Sequence, residues 1–158
     1  MDKNEIQNLI KEIVEKTTIM VNKISISEED PKNTWFSVEV NEPHFFIGRE
    51  GEALFALNHL VRRIVESKML QKTENFSEVG FLIDINGFQK KRIENVRAVA
   101  HMMGERARYF KSNIEVEPMS AFERRIVHEF LSDATDLKTE SMGEGLSRRV
   151  VIKYIGAI

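Results

Sequence analysis

The chain has 158 residues, of which 42% are apolar and none is cysteine. That length holds one ordinary domain or two small ones, the apolar share argues against disorder, and the lack of thiols excludes disulfides and cysteine-ligated zinc. The formal net charge of −2 is unevenly spread: residues 1–86 carry 10 Lys+Arg against 15 Asp+Glu, and residues 87–158 carry 13 against 10. A polyanion is therefore expected to meet the second half. No apolar run reaches the roughly 18 residues of a membrane span, and Met1-Asp2-Lys3-Asn4-Glu5 lacks the basic start and apolar core of a secretory signal. A cytoplasmic location without membrane insertion is the expectation.

In chain order, Ile6, Ile10, Ile13 and Val14 predict an amphipathic helix over 4–16. Thr17 to Ser27 is β-branched and partly alternating, residues 28–33 form a polar turn, and Thr34 to Val40 alternates strictly, so a hairpin is expected. Pro43 to Ile47 is a short apolar element. It leads into Gly48-Arg49-Glu50-Gly51, two glycines three apart with a cation between them, followed by a helix over 52–68 marked by Leu54, Leu57, Val61 and Ile64. Glycines in such a turn let a backbone approach a phosphate closely, and the helix start behind it supplies unpaired N–H donors. Residues 70–78 read as a connection and 79–85 as a third strand. The expected order is helix, strand, strand, short helix, glycine turn, helix, strand.

That order, with Gly48-Arg49-Glu50-Gly51 as the GXXG loop, resembles the type II KH domain, a three-stranded sheet with helices on one face. The resemblance implies that Gly48, Arg49 and Gly51 grip the backbone of a single strand. Glu50 and Glu52 depart from the two cations such a loop would carry, since a carboxylate at 4 Å repels a phosphate by about 1 kcal/mol in water. The second half is expected to carry most of the affinity.

Beyond Asn86-Gly87, the stripe Ile93, Val96, Ala100, Met103, Ala107 and Phe110 predicts a long helix over 88–112. Lys90, Arg97 and Arg108 fall together on its wheel as a secondary basic face. A short strand over 113–118 precedes Ser120-Ala121-Phe122-Glu123, a capping box that starts a helix reaching about Ser132, with Phe122, Ile126, Val127, Phe130 and Leu131 inward. Arg124 and His128, four apart, share one face of it. Strands over 136–141 and 148–155 follow, joined by a turn at 142–145.

The run from Glu117 to His128, with Lys138 to Gly145 and Arg148 to Ile152, resembles the domain named for its Arg-three-residues-His signature. A type II KH domain followed by this domain resembles the Jag (KhpB) family of bacterial RNA-binding proteins. The resemblance implies an α+β chain of two small domains, residues 1–86 and 87–158, the second built as helix, strand, helix, strand, strand. It implies single-stranded RNA as partner, with single-stranded DNA as the alternative, and a part in post-transcriptional regulation linked to cell division or envelope growth. Family members usually carry a further N-terminal domain, with which this chain does not begin, and they pair through the KH fold as homodimers or with a small KH protein. Arg124 and His128 would be the signature surface, since a guanidinium forks onto phosphate and both side chains stack on bases. Lys138, Arg149 and Lys153 would extend it. Alternation sends Arg148 and Arg149 to opposite faces, and Arg149, on the side of Val151 and Lys153, is expected to point with the site.

An enzyme reading would pair His128 with Glu129, or His101 with Glu105, for RNA cleavage. No nucleophile, metal cluster or carboxylate pair surrounds either histidine, so no catalytic residue, metal or cofactor is expected. The competing reading is a protein-interaction adaptor, which suits the acidic first half.

Overall fold

Asp2 sets the first helix. Its side chain accepts from Glu5 N at 2.8 Å while Glu5 Oε2 accepts from Asp2 N at 2.8 Å, a capping box that starts α1 (Lys3–Glu15) one residue earlier than periodicity predicts. The helix closes where Thr18 turns to φ 68°, so residues 17–20 form its exit rather than the head of the strand. The computed structural model describes residues 1–28, 33–70 and 80–156, so the turn expected over 28–33, the connection over 70–78 and Val79 lie wholly or largely outside the described residues. The chain divides into two compact units, Met1–Lys90 and Lys91–Ile158. Both are mixed α and β.

In the first unit, β1 (Val21–Ser27) pairs antiparallel with β2 (Thr34–Val40), which pairs parallel with β3 (Phe81–Ile85), giving the order β1-β2-β3. Phe36, Val38 and Val40 on β2 and Phe81, Ile83 and Ile85 on β3 share the buried face. They pack with Ile6, Ile10 and Val14 of α1 and with Leu54, Leu57, Val61 and Val65 of α3 (Glu52–Leu70). Each such side chain contributes roughly 1.5–3 kcal/mol when fully buried. The outer edge of β3 is covered by α3: Asn58 Nδ2 donates to Ile83 O at 2.9 Å, its Oδ1 accepts from Ile83 N at 2.8 Å, and Arg62 donates to Phe81 O at 3.1 Å. Asn86 carries the pairing past the end of β3, exchanging two hydrogen bonds with the backbone of Val40.

In the second unit, α4 (Phe88–Phe110) ends where Lys111 takes φ 49°. Its buried stripe is Val96, Ala100, Gly104 and Ala107, whereas Phe110 is 59% exposed. The glycine belongs there because a Cβ on Gly104 would lie 3.3 Å from Leu137 Cδ1 and 3.4 Å from Leu131 Cδ2, so helix and sheet meet closely. The expected strand over 113–118 is only β4 (Ile114–Glu115), although Val116 N and Met119 N still donate to Val150 O and Arg148 O. With β5 (Leu137–Met142) and β6 (Arg149–Tyr154) it forms an antiparallel sheet of order β4-β6-β5. Phe130, expected inward on α5 (Ala121–Phe130), is 41% exposed and stands edge-on to the ring of His101. Among the described residues no helix is long and apolar enough to cross a membrane.

Candidate nucleic-acid interface

Local sequence fixes the start of α5. Ser120 Oγ accepts from Glu123 N at 3.3 Å, and Glu123 Oε2 accepts from Ser120 N at 2.9 Å. Arg92 of α4 donates to Glu123 at 3.0 Å, anchoring the same carboxylate from the neighbouring helix. One turn on, Arg124 and His128 lie on one flank of α5, both partly exposed. Arg124 Nη1 donates to Met119 O at 2.8 Å. Among the described residues it makes no ion pair. Its remaining N–H groups are available to a ligand.

His128 Nδ1 is 2.7 Å from Thr139 Oγ1. The imidazole titrates below its ordinary range, first because burial disfavours the charged ring and second because Arg124 is close. The ring is neutral at neutral pH. Among the described residues no buried side-chain nitrogen or oxygen lacks a partner, and Nε2 has none, so Nε2 reaches solvent.

The strand register redistributes the other expected site residues. Directly paired residues share a face, and Thr139 pairs with Ile152, placing both on the side covered by α5. Lys138 pairs with Lys153 and Met142 with Arg149, which sends all four to the opposite face. Arg149 therefore does not point with Arg124 and His128; it donates to Glu115 at 3.1 Å, and Lys153 is paired with Glu140. That face is a lattice of opposite charges. By the same alternation Arg148, extended and exposed just before β6, takes the face of Val150 and Ile152. Its carbonyl accepts from Met119 N at 3.2 Å, and the carbonyl of Met119 in turn accepts from Arg124. Sequence reasoning preferred Arg149 because it attended to the cations of the strand and not to the helix that covers the other face. Thr139 was missed too; its place on β5, alternating with Lys138 and Glu140, was the available signal.

The secondary basic face is also reduced. Arg108 holds Asp136 through two hydrogen bonds, at 2.6 and 2.9 Å, and Glu105 at 2.5 Å, and these carboxylates raise its pKa further. Lys90 and Arg97 remain exposed. Among the described residues no group of three His or carboxylates converges as a metal site.

In the first unit, the loop follows α2 (His44–Ile47). Gly48 has φ 68° and ψ −167°, and a Cβ there would lie 2.7 Å from Ala53 Cβ and 2.9 Å from Ala53 N. Gly51, at φ 89°, is buried. Glu50 is left-handed at φ 52°, so the loop is one tight turn laid against the start of α3, with Arg49 exposed.

Residues 94–154 match the nucleic-acid-binding domain named for its Arg-three-residues-His signature, and the second unit is a domain of that class. The wider chain is similar to proteins named RNA-binding protein KhpB. It is 26% identical to that of Bacillus subtilis (strain 168) over 151 residues, 94% of this chain and 67% of the relative. It is also 26% identical to that of Clostridium symbiosum over 124 residues, 78% of this chain and 53% of the relative, and to that of Streptococcus pneumoniae serotype 2 over 116 residues, 73% and 33%. The chain is thus a KhpB (Jag) relative along most of its length, and spans between a third and two thirds of the relatives it matches.

Proposed function

We propose that this chain binds single-stranded RNA, in the cytoplasm and without catalysis, chiefly through the ledge of Arg124, His128 and Arg148 in its second unit. The observation that carries the reading is Arg124 itself, partly exposed on a capped helix, held by one backbone carbonyl and free of carboxylates among the described residues. A guanidinium so placed forks onto a phosphate, and the neighbouring ring stacks or donates. The KhpB relatives are named for RNA binding, which supports RNA over DNA. Lys138, Arg149 and Lys153 fall outside this ledge. By its element order and its two-glycine loop the first unit is a type II KH fold, with Gly48, Arg49 and Gly51 as a weaker contact beside Glu50. A regulatory role in cell division or envelope growth belongs to the same proposal.

The test is fluorescence anisotropy of labelled single-stranded oligoribonucleotides against the whole chain. Arg124→Ala should weaken binding of every sequence by about 10- to 100-fold, the worth of a hydrogen bond to a charged group. Unchanged affinity overturns the reading.

Phe45 and Phe55, 61% and 74% exposed before and after the glycine turn, favour a second reading for the first unit: a protein contact, with another copy of the chain or a small KH protein. Light scattering over a range of concentrations, with and without RNA, separates the two.

A further inference from the structure

Thr139 lies on the sheet face beneath α5, its hydroxyl against Nδ1 of His128. A neutral imidazole carries its proton on one nitrogen and a lone pair on the other, and the partner of one nitrogen decides the state of both. Thr139 makes no other side-chain hydrogen bond among the described residues, so its hydroxyl proton has one protein acceptor in reach, the Nδ1 lone pair. Donation there leaves the ring proton on Nε2, the nitrogen that reaches solvent. The opposite tautomer would turn a lone pair towards whatever Arg124 attracts, and a lone pair repels an anionic oxygen.

We propose that Thr139 is a positioning residue: by donating to Nδ1 it holds His128 as a neutral Nε2–H donor beside Arg124, ready for an acceptor oxygen of a single strand. This rests on the ledge reading above, and it adds that His128 serves uncharged. The arrangement divides labour between two neighbours, with Arg124 supplying charge and His128 a directed hydrogen bond that needs no proton from solution.

The experiment uses the whole nitrogen-15-labelled chain at pH 7.5. Long-range proton–nitrogen correlations of the His128 ring, recorded without RNA, distinguish a protonated nitrogen from a lone-pair nitrogen, and anisotropy with a mixed-sequence oligoribonucleotide reads affinity. Wild type and Thr139→Ser should both show the proton on Nε2 and bind alike. Thr139→Val should lose the fixed tautomer while keeping the backbone amide spectrum, and bind about fivefold more weakly, the worth of one ordinary hydrogen bond. A wild-type proton on Nδ1 overturns the proposal even if the valine variant fails to fold. So does a valine variant that changes tautomer without losing affinity, or a serine variant that does not restore it. Because the ring spectrum is taken without RNA, failure of the ledge reading, seen as unchanged binding by Arg124→Ala, is told apart from failure of the Thr139 assignment.

Discussion

Arg148 and Arg149, adjacent in sequence, stand on opposite faces of the second sheet: Arg149 opposes Met142 and reaches Glu115, while Arg148 takes the face of Val150, beneath α5. The two therefore differ in what they offer a polyanion. Arg148→Ala should weaken RNA binding about three- to tenfold and lower the slope of log affinity against log salt by about 0.7, one phosphate contact on a single strand. Arg149→Ala should stay within about twofold of wild type, as for a surface ion pair of small worth. Anisotropy titrations at several salt concentrations check both. A larger loss at Arg149 would restore the sequence-based preference.

Gly48→Ala tests the loop as a structural element. A methyl group there meets the backbone of α3 in a conformation that L-residues rarely adopt, so the first unit should lose about 1–3 kcal/mol. The single tryptophan, Trp35, lies on β2 and reports unfolding of that unit in urea. An unchanged midpoint would mean the loop relaxes without cost.

Asn58→Ala should destabilise the same unit by about 2 kcal/mol, because the N–H and C=O of Ile83 both lose their partner on the sheet edge. The same tryptophan titration measures it. Binding to RNA by the second unit should be untouched.

Acid should weaken the second unit more than the first. Burial pushes Glu123 up, but hydrogen bonds from Arg92 and Ser120 outweigh it and leave the carboxyl below its ordinary value. Asp136 and Glu140 are lowered through hydrogen bonds from Arg108 and Lys153. With folded values below unfolded ones, the unfolded chain takes up more protons, so their stabilisation is present above the ordinary carboxyl values of 4.5 and 3.8 and is lost as pH falls through the lowered ones. His128, lowered from 6.5, adds a loss of the same sign at higher pH. Asp84 of the first unit, raised by burial, has the opposite sign: its contribution is present below 3.8 and is lost as pH rises through the raised value. Amide spectra recorded during acid titration should show the second unit losing its signals first.

Much of this was legible from local chemistry. Ser120 with Glu123 marked a helix start, and the α3 stripe through Leu54, Leu57 and Val61 named buried residues. What was not legible depends on partners distant in sequence. Nothing near Arg108 announces Asp136, and periodicity alone could not tell that Gly104 and not Phe110 meets the sheet. The side to which Arg148 turns depends on which face α5 covers, a tertiary fact. Asp2, by contrast, carried a local signal in Glu5 that the apolar periodicity passed over.

The interleaved cations and anions on the far side of the second sheet, Arg149 with Glu115 and Lys153 with Glu140, cancel within a few ångströms. At physiological salt such a mosaic casts little field beyond the screening distance of about 8 Å. An approaching polyanion consequently meets a domain with one attractive flank and one silent flank, and its orientation is biased before any contact forms.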